Sequence, residues 1–168
     1  MQKLFNITNE TDHIVKIELV NGKKHNPLSL ELIKDLTNSL IQISSQKKVK
    51  VLIISSEGPG FSAGHDLDEL RKNKNNKKFF NELFNECSNL MQTIMNLPQP
   101  VIAEVCGIAA AAGCQLVASC DLAVASEQAG FMTPGVNIGL FCSTPMVAVS
   151  RNLSLSLIHI SEPTRLGF

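Results

Sequence analysis

The run VKVLIIS at residues 49–55 is the feature that most constrains the fold. It is a continuous, mostly β-branched stretch of strand length, without regular alternation of apolar and polar residues. A strand of this kind is typically buried on both faces of a parallel or mixed sheet. The residues before this run predict a strand and a helix that could pack beside it. Residues 15–19 alternate as a half-buried strand, and an apolar helical stripe at residues 32–43, with Ser29 as its N-cap, lies between the two.

The second half of the sequence continues this alternation of strands and helices. Apolar side chains from Phe80 to Ile94, at helical spacing, predict a long helix that ends before Pro98 and packs its Phe and Met residues in the core. VIAEV at residues 101–105 predicts another strand, and residues 122–125 favour one more. The polar run RKNKNNKK at residues 71–78 predicts a solvated helix end or loop. We therefore predict a single α/β domain.

Composition argues against several classes of function. Fifteen basic residues balance fifteen acidic ones, so no global field attracts nucleic acid or anionic lipid, and Trp and Tyr are both absent. The five cysteines form no CxxC pair, which favours a reducing compartment and no structural metal site. No apolar run reaches the roughly 18 residues that span a bilayer. We expect a soluble, metal-free protein that does not bind nucleic acid. The sequence leaves open the possibility that a targeting segment has been lost upstream of residue 1.

Two turns rich in small residues each lead from a strand into a helix. They lie at residues 60–66 (GFSAGHD) and 109–113 (AAAAG). The first N–H groups of a helix have no acceptor within it, and small side chains let a ligand reach them. Two such groups from different turns would bind a carbonyl oxygen and hold it more tightly as it becomes an oxyanion. Close strand–helix packing explains either turn alone equally well, so the functional hypothesis depends on the pair.

The segments that carry these turns resemble a known family. VKVLIISSEGPGFSAGHDLDEL and PVIAEVCGIAAAAGCQLVASCDLAVAS resemble the crotonase superfamily of enoyl-CoA hydratases and isomerases in motif and in spacing, over residues 12–150. TPGVNIGLFCSTP narrows the resemblance to a mitochondrial subgroup. The resemblance implies a spiral of ββα units and an acyl-CoA or enoyl-CoA thioester ligand, with coenzyme A as part of the substrate and no other cofactor. It also implies a role in fatty-acid metabolism, a mitochondrial location and, at full length, a homotrimer or hexamer.

The resemblance also assigns residues to the site. It implies that two backbone N–H groups, those of His65 and Ala112, bind the thioester oxygen as an oxyanion hole. The residues that it implies for the coenzyme A moiety are Ala63, Asp66, Leu67 and Asp68.

The two carboxylates of an enoyl-CoA hydratase are missing from the positions where the resemblance implies them. Hydration needs a group that activates water and a group that delivers a proton, and glutamates suit both tasks because they exchange protons near working pH. The first position is Gln115, whose amide can hold a water but cannot act as a general base, and the second is Gly135. We therefore expect the thioester site to be kept and hydratase or isomerase chemistry to be undercut.

Two alternatives stay open. His65 carries an imidazole that is a competent base near neutrality, and Gln115 can position a water, so an active enoyl-CoA hydratase or related acyl-CoA enzyme is the second hypothesis. A non-catalytic interaction protein is the third. The remaining polar candidates, for which we favour structural roles, are Glu104, Cys114, Cys142 and Ser143.

The C-terminal residues depart from the family. After Arg151 the resemblance stops, so we assign residues 1–151 to a truncated crotonase domain and residues 152–168 to a non-native tail that resembles translated adapter sequence. His159 in that tail is given no functional role. Without the later helices of the family, which cover apolar surface, we expect the chain to be poorly soluble or partly unfolded.

Overall fold

The structure is a computed structural model that describes residues 4–154. Strands and helices alternate along the chain, as predicted. The strands are β1 Phe5–Asn9, β2 Ile14–Leu19, β3 Val51–Ser56, β4 Gly60–Ser62, β5 Val101–Val105, β6 Ile108–Ala110, β7 Leu122–Ala125 and β8 Gly130–Met132. The α-helices are α1 Leu30–Ser44, α2 Leu67–Lys72, α3 Lys77–Asn96, α4 Ala112–Ser119 and α5 Ser143–Asn152, and short 3-10 helices span Gly22–Lys24 and Pro134–Ile138.

Within residues 4–154, the larger sheet has five strands in the order β1-β2-β3-β5-β7, and only its β1–β2 pair is antiparallel. The run at residues 49–55 forms its central strand β3, in which Leu52 and Ile54 are fully buried. Helices α1 and α3 pack against each other and share the main core with this sheet. The predicted N-cap of α1 is confirmed, since Ser29 Oγ accepts the N–H of Leu32 at 3.2 Å. Helix α3 ends at Asn96, before Pro98 as predicted.

The smaller sheet was not predicted. It contains three parallel strands in the order β4-β6-β8, and β4 and β6 occupy the first residues of the two segments that the sequence indicates as turns. Each strand has only three residues, which is too short for an alternating pattern to show. The chain thus repeats a strand–strand–helix unit, β3-β4-α2 and then β5-β6-α4. In each unit the first strand belongs to the larger sheet and the second strand to the smaller sheet. This repeat is the ββα arrangement expected from the sequence.

Strand β1 and helix α5 were also not predicted from the sequence. Strand β1 lies at a sheet edge with mostly exposed residues, so it lacks a buried face that would mark it in the sequence. Helix α5 begins at Ser143, for which the sequence analysis favoured a structural role without predicting a helix. Among residues 4–154, no helix combines the length and the apolar character that crossing a membrane requires.

Candidate functional site

The two small-residue turns leave the same end of the smaller sheet. Strands β4 and β6 pair in parallel, with Gly60 opposite Ile108 and Ser62 opposite Ala109. The turn after β4 leads to α2, and the turn after β6 leads directly to α4. Because the carboxyl ends of parallel strands meet at one edge, the two helix starts lie side by side, which is where open α/β sheets bind ligands.

Two glycines allow the turns to touch through their backbones. Gly64 has φ +85°, and a Cβ built on it would lie 3.1 Å from the backbone nitrogen of Ala112 and 3.0 Å from the carbonyl oxygen of Ala110. A Cβ built on Gly113 would collide with the carbonyl oxygen of Ser62 and lie 2.7 Å from its Cβ. Gly113 has no room for a side chain, and at Gly64 the positive φ and the tight contact both favour glycine.

In each turn, the N–H group of the predicted donor lacks an acceptor among residues 4–154. On either side of His65, the N–H groups of Gly64 and Asp66 donate to protein oxygens at 3.2 and 3.3 Å. Before Ala112, the N–H of Ala111 donates to a carbonyl of β8 at 2.9 Å. Within residues 4–154, the backbone N–H groups of His65 and Ala112 have no hydrogen-bond acceptor. These are the two donors that the sequence analysis singled out.

The start of α4 is strained where it delivers its first N–H group. Ala111 has φ 49° and ψ −120°, a conformation that residues with a side chain rarely adopt, and no side chain caps this helix. Strain of this kind costs about 1–3 kcal/mol and concentrates at functional sites. Helix α2 differs, because the Asp66 carboxylate caps it by accepting the N–H groups of Asp68 and Glu69 at 2.9 and 3.2 Å. The Asp66 side chain therefore has a structural task.

His65 combines a buried nitrogen with an aromatic neighbour. Its Nε2 is buried and has no hydrogen-bond partner among the described residues, and its ring meets Phe84 edge to face, with centroids 5.4 Å apart. Burial lowers the pKa of His65 below the ordinary value of 6.5, so the imidazole is neutral at pH 7. Phe84, predicted to lie in the core, is instead 52% exposed and stacks on Phe80. The prediction for Phe84 is wrong because the buried stripe of α3 runs along its neighbours Leu83 and Cys87.

Gln115 is a second buried side chain with an unused polar atom. It lies in the first turn of α4, three residues after Ala112, and is 8% exposed. Its Oε1 is buried and accepts no hydrogen bond from residues 4–154. Because buried polar atoms are nearly always paired, an orphan acceptor here indicates a place for a water or a ligand donor.

Gly135 lies where no side chain fits. It is buried in the 3-10 helix that follows β8, and a Cβ built on it would lie 2.6 Å from the Sγ of Cys142 and 2.7 Å from the carbonyl oxygen of Leu140. The position that the resemblance gives to the second carboxylate therefore has no side chain, and the packing around it leaves no room for one.

The coenzyme A candidates lie at the open side of the first turn. Ala63 and Asp68 are exposed, Leu67 is 62% exposed, and an Asp68 carboxylate oxygen lies 3.7 Å from the Arg71 guanidinium. These residues leave their surface free for a ligand.

The remaining candidates have structural surroundings. Glu104 forms an ion pair with Lys16 at 2.8 Å, and Ser143 is the exposed first residue of α5. Burial raises the pKa of the Cys114 thiol to about 11, so that sulfur is protonated and a poor nucleophile. Cys142 is buried beside Gly135, and His159 lies outside the described residues. In the described part of the chain, no three His, Cys, Asp or Glu side chains are grouped as metal ligands would be.

Comparison with known proteins places this geometry in a family. The enoyl-CoA hydratase/isomerase family profile matches residues 9–156. Human enoyl-CoA hydratase domain-containing protein 3, mitochondrial, is 51% identical over 158 residues, which cover 92% of this chain and 52% of that protein. A probable enoyl-CoA hydratase of Bacillus subtilis is 31% identical, over 90% of this chain and 60% of its own length. The chain spans about half the length of the first of these relatives.

Solved structures share the fold over nearly all of the chain. A crystal structure of human enoyl Coenzyme A hydratase domain-containing protein 3 superposes with a TM-score of 0.87 at 47% identity, over 95% of this chain and 62% of that one. A Mycobacterium smegmatis enoyl-CoA hydratase gives a TM-score of 0.89 at 39% identity, with the same coverage. The expected ββα spiral is confirmed, and the chain belongs to the enoyl-CoA hydratase/isomerase family.

Proposed function

We propose that this chain binds acyl-CoA or enoyl-CoA thioesters, with the thioester oxygen accepting hydrogen bonds from the backbone N–H groups of His65 and Ala112. The observation that carries the proposal is the pair of touching turns at the same end of one sheet, in which the N–H groups of His65 and Ala112 are unused by the described residues. Backbone donors fixed in advance stabilise an oxyanion without reorganisation, and losing one donor of this kind costs about 10²–10³-fold in rate in well-studied enzymes.

The surroundings of the donor pair suit a thioester better than a free acid. His65 is neutral at pH 7 because burial lowers its pKa, and its ring is held against Phe84. The site therefore offers dipoles rather than a full positive charge, which matches a polarised carbonyl. The exposed residues Ala63, Leu67 and Asp68 leave an open surface beside the first turn for the larger coenzyme A moiety. Mitochondrial location is proposed from the names of the relatives, and a role in fatty-acid metabolism is proposed from the family resemblance alone.

Hydration is not part of this proposal. A hydratase needs groups that exchange protons at both faces of the reacting bond, and the two positions in question hold the amide of Gln115 and the bare backbone of Gly135. The site is instead suited to hold a thioester and to stabilise the enolate formed from it.

An active hydratase is the second candidate, and the orphan polar atoms favour it. The buried Oε1 of Gln115 can hold a water, and the Nε2 of His65 is unused.

Calorimetry and a hydration assay separate the candidates. We expect butyryl-CoA and crotonyl-CoA to bind more tightly than free coenzyme A, which lacks the carbonyl, and we expect no hydration of crotonyl-CoA at high protein concentration. Hydration that disappears in His65→Ala would establish the second candidate. Equal binding of butyryl-CoA and free coenzyme A would refute the oxyanion hole. Absence of all binding would leave an interaction protein that keeps only the fold.

A further inference from the structure

We propose that Asn26 is a positioning residue for the candidate oxyanion hole and that it aims the backbone N–H of His65 at the thioester oxygen. The inference rests on the proposed function and adds to it a residue from outside the two turns. Asn26 is 1% exposed, so its side chain does not reach the ligand and acts only through the turn that carries His65.

The direction of the His65 N–H follows from a chain segment that lies along the first turn. Leu28, in that segment, forms an isolated parallel bridge with His65. The N–H of Leu28 donates to the carbonyl oxygen of Gly64 at 2.8 Å, and its own carbonyl oxygen accepts the N–H of Asp66 at 3.3 Å. The bonds of the bridge are thus made by the residues on either side of His65, so the N–H of His65 itself points to the other side of the chain.

The side chain of Asn26 fixes this segment to the strand that leads into the turn. Its amide nitrogen donates to the carbonyl oxygens of Glu57 and Gly60, both at 2.9 Å, and its Oδ1 accepts the N–H of Asn21 at 2.8 Å. Gly60 is the first residue of β4, so the amide joins the segment to that strand. Buried hydrogen bonds of this kind hold one geometry because breaking them leaves polar groups unpaired.

Ser62 connects the same segment to both turns. Its hydroxyl donates to the carbonyl oxygen of Asn26 at 2.8 Å and accepts the N–H of Gly64 at 3.2 Å. Ser62 is fully buried, and a Cβ built on Gly113, in the second turn, would lie 2.7 Å from the Cβ of Ser62. The segment that Asn26 holds is therefore linked through one side chain to the turn of His65 and to the start of α4.

The backbone at Asn26 is strained in a way that serves the turn. His25 and Asn26 are consecutive residues with positive φ, 58° and 48°, a conformation that asparagine adopts more readily than most residues with a side chain. Their carbonyl oxygens accept the N–H of Ala63 at 2.8 Å and the hydroxyl of Ser62. Strain of this kind is kept where function needs a fixed geometry.

Loss of the Asn26 side chain should therefore misdirect one donor of the candidate oxyanion hole. A hydrogen bond weakens steeply when its donor turns away from the acceptor. Free coenzyme A has no thioester carbonyl and makes no use of this donor. We expect Asn26 to affect the preference for a thioester over free coenzyme A, a ratio that a merely structural residue does not change.

Isothermal titration calorimetry with butyryl-CoA and free coenzyme A tests the proposal. Asn26→Gly keeps the positive φ accessible and removes the amide, so the affinity for butyryl-CoA should fall by roughly three- to tenfold, the contribution of one hydrogen bond, at unchanged affinity for free coenzyme A. Ser62→Ala should act in the same direction. Infrared spectra of bound butyryl-CoA, isotope-labelled at the thioester carbonyl, should show a smaller downward shift of the carbonyl band in both variants.

Gln99 provides the matched control. Its buried amide also donates to two backbone carbonyl oxygens, those of Ser44 and Val49, at 2.9 and 3.4 Å, but it lies in the connection between α3 and β5, outside both turns. Gln99→Ala should lower the melting temperature and leave the ratio of the two affinities unchanged.

The outcomes separate this inference from the proposed function. If Asn26→Gly and Ser62→Ala keep the preference of the unmodified chain for butyryl-CoA, the inference is wrong and thioester binding stands. A preference that falls equally in Gln99→Ala would also overturn it, because the effect would then be general destabilisation. If thermal melts show that Asn26→Gly does not fold, Ser62→Ala decides alone. If the unmodified chain binds butyryl-CoA and free coenzyme A equally, both the inference and the oxyanion hole fail.

Discussion

Because its imidazole is buried, His65 should make the stability of the fold depend on pH. Its Nε2 lacks a partner among the described residues, and burial lowers the pKa of the folded imidazole below 6.5. In the unfolded chain the same group titrates near 6.5. Between the two pKa values the unfolded chain binds more protons than the folded one, so this contribution to stability is complete above pH 6.5 and is lost as the pH falls below it.

The variant His65→Gln should remove this dependence, since glutamine does not titrate. We expect the free energy of unfolding of the unmodified chain to fall more steeply than that of His65→Gln as the pH decreases from 7 towards 5. Urea unfolding at closely spaced pH values measures the two slopes. Parallel curves would show that His65 is protonated equally in both states and that its burial has no effect on proton binding.

The contact between Gly135 and Cys142 can be tested by a double-mutant cycle. Gly135→Ala places a methyl group 2.6 Å from the Cys142 sulfur, so we expect it to destabilise the fold by about 1–3 kcal/mol, as overpacking does. Cys142→Ala removes the sulfur, and the double variant should recover about 1 kcal/mol relative to the sum of the single variants. The recovery is partial because the Leu140 carbonyl oxygen also lies close, at 2.7 Å. Strict additivity in thermal or urea unfolding would contradict the packing.

At the scale of elements, the sequence best predicts the helices and strands that bury apolar side chains at a regular spacing. Helices α1 and α3 and strands β2 and β3 each carry several apolar residues at a fixed period, and each was predicted within a few residues of its bounds. Strands β4, β6 and β8 have three residues each and are held by pairing with distant parts of the chain. Local pattern contains no information about such partners, which is why the smaller sheet was missed.

The two turns can be tested with a matched pair of glycines. Gly64 and Gly139 have similar positive φ values, +85° and +76°, but a Cβ on Gly139 meets nothing within 4 Å, whereas one on Gly64 meets the backbone of the second turn at 3.0–3.1 Å. We expect Gly139→Ala to cost about 1 kcal/mol, from backbone strain alone. Gly64→Ala should cost more and should also abolish butyryl-CoA binding, because it separates the two donor N–H groups. Equal losses of stability with unchanged binding in both variants would mean that the turns do not form one site.

At the scale of the whole molecule, the larger sheet ends, within the described part of the chain, in the apolar edge strand β7. All four residues of β7 are exposed, with Leu122 and Val124 61% and 64% exposed on the same face of the strand. An uncovered edge strand with apolar side chains is a template for association. This surface supports the expectation of poor solubility.

We expect the chain to self-associate through this edge in a concentration-dependent way. The double variant Leu122→Lys with Val124→Lys should shift sedimentation velocity profiles towards the monomer, because charge on an edge strand opposes pairing. Ile7→Lys on β1, the opposite edge of the same sheet and 46% exposed, is the control and should leave association unchanged. The same profile for the unmodified chain and the β7 variant would place the contact elsewhere.

The candidate site was predictable in part. The small residues at 64, 112 and 113 were visible in the sequence because close backbone contact excludes larger side chains. The orphan atoms of His65 and Gln115, and the sulfur that closes position 135, were not visible, because burial and contact between distant residues depend on the whole fold.

The parallel pairing of the strands also sets how this chain must fold. Among the described strands, every pair except the β1–β2 hairpin joins segments separated by at least one helix or long connection. Long loops must therefore close before most of the sheet is formed, and topologies rich in such distant contacts fold slowly. A newly made chain consequently spends time with unpaired strands, and that interval is when chaperones matter most to it.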